Sequence, residues 1–204
     1  SFSMPILSMS PYPGQYELRV DLRQALRLSV RHLREHGHKN IALLTPGKSV
    51  TPLQVEGYLE AVGAGPSYFL EATANPAFGE NLRKLLRNSK VTAFAATNDL
   101  LAARFRRYLH ERGILVPGDA AVIGFDGNAF DETFLSPLTS VVFPACRLAE
   151  RAVALLLEKI EKRSREFLDV PEMVPTELYI GESCGCHPRK SEEFAWSGQP
   201  LILE

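Results

Sequence analysis

Apolar residues recur along this chain in two alternating rhythms, and their order predicts the architecture. Between 22 and 35, Leu22, Ala25, Leu26, Val30 and Leu33 fall at helical spacing, with Asp21 placed to cap the amino end and Gly37 to stop the helix. Ile41-Ala42-Leu43-Leu44 is a continuous apolar run, as in a strand buried on both faces. A second helix is predicted over 53–62, opened by Thr51-Pro52 and closed by Gly63. A weaker strand at 68–70, a helix over 78–86, a strand over 91–96, a helix over 98–112 stopped by Gly113, and a strand over 120–125 follow in turn. Strands and helices alternate through short connections. The fold class expected is therefore α/β, a parallel sheet flanked by helices on both faces.

The two ends of the chain behave differently. Residues 4–9 spell a short apolar strand, followed by the turn-rich run Ser10-Pro11-Tyr12-Pro13-Gly14. Residues 138–142 predict a strand, and 146–162 a long amphipathic helix whose buried stripe is Leu148, Ala152, Leu155, Leu156 and Ile160. A final strand is expected over 174–180. Beyond Cys186 the composition turns to Pro, Ser, Gly and charge, so 187–204 is expected to be a tail or linker.

Composition narrows the functional classes. Of 204 residues, 45% are hydrophobic, enough for one sizeable core or two small lobes. Lys and Arg number 23 against 24 Asp and Glu, so these residues lack the basic excess with which a DNA reader meets phosphates. No run approaches the roughly 18 apolar residues of a membrane span, and the start has no basic and apolar export signal. A cytoplasmic location with no membrane partner is the expectation.

Nothing in the motifs suggests catalysis. Ser49, Ser136 and Ser183 lack a Gly-x-Ser-x-Gly setting, and no strand is followed by a glycine-rich phosphate loop. Asp99, Asp126, Asp131 and Glu132 are acidic, but nothing in the sequence arranges them around a substrate. Arg104, Arg106 and Arg107 fit a solvated helix face, and His36 and His38 a helix end. Three cysteines make no disulfide framework. Cys184-Gly185-Cys186-His187 contains metal-ligand residue types, but the usual spacing is two to four residues with a second pair elsewhere, and no second pair exists. No metal ligand, cofactor or enzyme activity is assigned.

Binding chemistry is concentrated at two predicted strand ends, where a doubly wound sheet receives its ligands. Thr97-Asn98-Asp99 follows one strand and Asp126-Gly127-Asn128 the next. Asn offers donors and acceptors and Asp two acceptor oxygens, a set suited to the vicinal hydroxyls of a sugar-like molecule. Each segment also has a plainer reading, the first as a helix cap and the second as a tight turn.

The same segments carry a resemblance. Asn98-Asp99-Leu100-Leu101-Ala102, then Arg112-Gly113-Ile114-Leu115-Val116-Pro117-Gly118-Asp119, then Ala121-Val122-Ile123-Gly124-Phe125-Asp126 resemble successive motifs of the lactose/galactose-repressor family of transcription regulators. Leu135-Ser136-Pro137-Leu138-Thr139-Ser140-Val141, Arg151-Ala152-Val153-Ala154-Leu155-Leu156-Leu157, Gly37-His38-Lys39-Asn40-Ile41-Ala42 and Glu56-Gly57-Tyr58 are similar to others, in the family's order.

The resemblance implies a periplasmic-binding-protein-like domain of type I over 1–186. It would be an incomplete two-lobe domain, holding the second lobe plus stretches of the first at about 1–10 and 138–163. It further implies a small, sugar-like effector, a homodimer, and DNA contacted only through a headpiece outside this chain. With its first-lobe partner missing, the helix at 146–163 is expected to be exposed or paired with another copy. The implied ligand residues are Asn98, Asp126, Gln54 and Ser10. The sequence departs from the family at Gln54, where arginine is usual, and at Ser10 and Gly127, where aspartate is usual. A periplasmic sugar-binding protein or receptor sensor domain shares the fold and is the alternative.

Overall fold

The computed structural model describes Leu7 and residues 18–47, 50–72, 77–128, 136–162 and 170–186. Ser10, the tail at 187–204 and, apart from Leu7, the strand expected at 4–9 lie outside these described residues. In chain order the elements are β1 (Leu18–Val20), α1 (Leu22–Glu35), β2 (Ile41–Thr45), α2 (Pro52–Val62), β3 (Tyr68–Glu71), α3 (Ala77–Arg87), β4 (Ala93–Ala96), α4 (Asp99–His110), β5 (Ala121–Asp126), β6 (Thr139–Val142), α5 (Ala145–Glu161), β7 (Glu172–Val174) and β8 (Glu177–Tyr179).

Six strands form one sheet in the order β3-β2-β4-β5-β6-β8, parallel except that β8 runs antiparallel to β6. Side chains alternate across a strand, so each central strand feeds two cores. Ile41, Leu43, Ala93, Ala95, Ala121 and Ile123 face α1 and α2, while Ala42, Leu44, Phe94, Ala96 and Val122 face α3 and α4. That is why the strands read as unbroken apolar runs.

Helix starts and stops match their local chemistry. Asp21 accepts a hydrogen bond from the Gln24 N–H at 2.8 Å, and Gly37 turns the chain at φ 89°. The close approach of α1 and α2 requires Gly57, because a β-carbon there would lie 2.4 Å from the Arg23 carbonyl oxygen. Tyr58, fully buried, donates to the Ile41 carbonyl at 2.9 Å and accepts from the Tyr68 N–H at 2.8 Å, tying α2 to β2 and β3.

Two features differ from the sequence pattern. The single strand expected at 174–180 is two strands separated at Pro175, which has no N–H to continue a ladder. β7 leaves the main sheet and pairs in parallel with β1, a three-residue strand whose partner lies some 150 residues away and which no local pattern announces. The stripe of α5 is also narrower than its periodicity predicts. Ala152 and Leu155 are buried with Leu18 and Val174, and Leu148 packs against them, but Ile160 is 48% exposed, alongside Val153 and Leu157. Among the described residues, the small β1–β7 pair and Leu7 cover the ridge of Ala152 and Leu155, while Val153, Leu157 and Ile160 stay exposed. Of the stretch 138–163, β6 lies inside the main sheet and α5 on the β1–β7 pair.

Candidate functional site

β4 and β5 are hydrogen-bonded neighbours, which sets the two predicted strand ends side by side. Asn98 caps α4, its side-chain oxygen accepting from the Leu101 N–H at 2.8 Å, with extended backbone and a half-buried side chain. The capping role and a place at the strand end are thus compatible.

Asp99 turns inward. It is fully buried; one carboxylate oxygen accepts from the Ser140 hydroxyl at 2.6 Å and the other from the Asn128 N–H at 2.6 Å. Ser140 Oγ in turn accepts from the Gly127 N–H at 3.2 Å. One carboxylate therefore fixes the turn at 126–128 and ties α4 to β6. Gly124 makes this possible: a β-carbon there would meet Asp99 Oδ1 at 2.0 Å. Burial raises the Asp99 pKa above the ordinary value, against the hydrogen bonds from Ser140 and from the backbone of Asn128, Gly127 and Phe125.

Asp126 ends β5 in a conformation that side chains other than Gly avoid, at φ 127°. Its half-buried carboxyl is pushed up to about 6, first by burial and then by the charge of Asp99, with a bond from the Asp99 backbone opposing. Strain and an unfavourable charge at one residue are commoner at binding sites than in passive turns.

Gln54 reaches the same place from α2. Its N–H bonds to the Thr51 hydroxyl, that hydroxyl donates to Gln54 Oε1 at 3.1 Å, and Gln54 Nε2 donates to the Thr97 carbonyl at 2.9 Å. The side chain is buried and braces the strand end that carries Asn98. Next to it, the buried Thr97 hydroxyl has no hydrogen-bond partner among the described residues.

The structure thus gathers Gln54, Asn98 and Asp126 at one end of the sheet. Sequence reasoning singled out neither Ser140 nor the glycine that admits Asp99, although a glycine inside the apolar run Ala121-Val122-Ile123-Gly124-Phe125 signals close approach by another group. A wide groove of about 1270 Å³ lies elsewhere, between α3 and α4, walled by Phe78, Tyr108 and the arginines Arg83, Arg87, Arg104 and Arg112. It contains none of the predicted ligand residues. Converging polar groups identify the strand ends better than volume identifies the groove.

Comparison with known proteins gives this geometry its context. Residues 30–184 match the family model of the periplasmic binding protein-like domain. The HTH-type transcriptional repressor PurR of Pasteurella multocida is 33% identical over 165 residues, covering 76% of this chain and 49% of the repressor. The chain spans about half the length of the curated relatives it matches. Among solved structures, the Escherichia coli transcriptional repressor ascG aligns with TM-score 0.70 and 27% identity, over 90% of this chain and 70% of that one. A LacI family transcriptional regulator from Enterococcus faecium, solved with bound ribose, aligns with TM-score 0.68 and 25% identity, over 88% of this chain and 70% of the other.

Proposed function

Because the chain belongs to the periplasmic binding protein-like domain family, in its lactose/galactose-repressor branch, we propose that it is the effector-sensing part of a cytoplasmic transcription regulator. It binds a small polar effector, a sugar or related metabolite, at the strand ends carrying Asn98 and Asp126. The regulator acts as a homodimer and meets DNA through a headpiece outside this chain. Ribose in the Enterococcus faecium relative supports the effector class.

The observation that carries the site is Asp126, a half-buried carboxyl held at φ 127° beside a second, buried carboxyl. Hydroxyls of a ligand would supply the donors that relieve it. Asn98 adds an amide at the same mouth, and Gln54 acts as a positioning residue by bracing Thr97. Ser10 belongs to the proposal by family position alone.

The mechanism is a population shift. An effector that contacts both lobes of the parent favours one lobe angle, which alters how two headpieces are spaced on DNA. Isothermal titration of the parent protein with a panel of pentoses, hexoses and disaccharides tests the reading. At least one should bind, and Asp126→Asn and Asn98→Ala should each weaken it at least tenfold. Binding that is indifferent to both substitutions, or no binding across the panel, refutes the site.

A further inference from the structure

At the opposite end of the sheet, where β5 and β6 begin, three ligand-type side chains from distant parts of the chain converge. His32 Nε2, from α1, lies 3.4 Å from Cys184 Sγ and 3.2 Å from Cys186 Sγ. All three ligand atoms lie within 4.8 Å of one another. Among the described residues this is the one such group of His, Cys, Asp and Glu. We propose that His32, Cys184 and Cys186 form a binding site for a thiophilic transition-metal ion of the zinc class, independent of the effector site.

The geometry suits a shared ion. In a tetrahedral zinc site, Zn–S of ~2.3 Å and Zn–N of ~2.0–2.1 Å place sulfur and nitrogen about 3.6 Å apart. The observed separations are within a few tenths of an ångström of that, so little movement is needed to admit an ion. The Cys-x-Cys spacing is workable because Gly185, at φ 84°, turns the chain between the two thiols.

The ligands are also held in advance. The Ser183 hydroxyl donates to the Val122 carbonyl at 2.6 Å and accepts from the Thr139 N–H at 2.9 Å, and the Ser183 carbonyl accepts from the Val122 N–H at 2.8 Å. Cys184 is therefore fixed against the sheet and 1% exposed. Thr139 Oγ1 accepts from the Gly181 N–H at 3.0 Å, which leaves its own proton for Cys184 Sγ, also 3.0 Å away. A hydroxyl committed as a donor to sulfur supports the thiolate form that a metal requires, a supporting contact of the kind that tunes known sites. His32 is 7% exposed, packed beside the His36 ring at 4.4 Å, with its Nε2 facing the sulfurs.

Two thiolates and one imidazole leave one coordination position for water or another donor. Because the ligands join α1 to the segment after β8, a bound ion would staple these two parts together.

The test uses the reduced, metal-free chain, titrated with zinc against a chromophoric chelator and, separately, with cobalt as a spectroscopic probe. One equivalent of zinc should bind, and cobalt should show thiolate charge-transfer bands with the intense visible absorption of a tetrahedral site. Cys186→Ser and His32→Gln should each weaken zinc roughly a hundredfold, while Cys146→Ser, at an exposed thiol elsewhere, should leave it unchanged. Circular dichroism confirms that the variants fold; should they not, the cobalt spectrum of the unaltered chain decides. Absence of competition with the chelator, a cobalt spectrum without thiolate bands, equal affinity in Cys186→Ser, or a Cys184–Cys186 disulfide that persists in reductant and blocks zinc would each overturn the proposal.

Discussion

The carboxylate of Asp99 occupies the space that a side chain on Gly124 would need, with Oδ1 only 2.0 Å from the position of a β-carbon there. A glycine in the middle of a buried strand is thus a lock for a carboxylate on a neighbouring helix. Gly124→Ala must displace Asp99 and break its bonds to Ser140 and Asn128. Overpacking and lost buried hydrogen bonds each cost about 1–3 kcal/mol. Urea unfolding should show a loss of at least about 2 kcal/mol, and an unchanged midpoint would contradict this arrangement.

Asp126 gives the fold a pH dependence of definite sign. Its folded-state pKa, near 6, lies above the ordinary 3.8, so the native state holds this proton more tightly than the unfolded chain does. Its stabilising contribution is full below about pH 4 and is lost as pH rises to about 6. Asp99, also raised, adds a slope of the same sign. In thermal melts, Asp126→Asn should gain on the unaltered protein step by step across that window. A difference in Tm that stays constant from pH 4 to pH 7 would count against the shift.

Gln54 performs two tasks, closing the start of α2 through Thr51 and bracing Thr97. Gln54→Ala keeps the backbone N–H bond to Thr51 but removes the two side-chain bonds, from the Thr51 hydroxyl and to the Thr97 carbonyl, and should destabilise the fold by about 1–3 kcal/mol in chemical denaturation. If Gln54 only positions Asn98, effector affinity should fall with the alanine variant without any change in which effectors are preferred. A changed preference would mean that Gln54 touches the ligand.

Two leucines on α5 separate its covered ridge from its open face. Leu155 is 5% exposed and Leu157 54%. Leu155→Ala should cost about 2–4 kcal/mol, and Leu157→Ala about 0.5 kcal/mol or less. Equal losses in denaturant titrations would place the packing of this helix elsewhere.

Most of the architecture was legible because the central strands are buried on both faces and the helices carry their own stops. Asp21, Gly37, Thr51 and Gly63 mark ends that the structure keeps. What escaped depends on partners remote in sequence. β1 exists because β7 pairs with it, and the exposure of Ile160 follows from how little β1 and β7 cover. The site divided in the same way. Asn98 and Asp126 announce themselves at strand ends, whereas the buried role of Asp99 depends on Ser140, 41 residues away. His32 meets the cysteine pair across more than 150 residues, a distance no spacing rule spans.

The anchoring of Ser183 bears on the order in which the molecule is built. Val122, Pro137 and Thr139 all direct backbone groups to Glu182 and Ser183. Until those two residues leave the ribosome, the first positions of β5 and β6 must keep their polar groups hydrated, and the sheet cannot close at that end. The nascent chain therefore waits on a short segment made tens of residues later. A chain made only as far as β8 would lack the groups that Val122, Pro137 and Thr139 need, and that end of the sheet would stay unfinished.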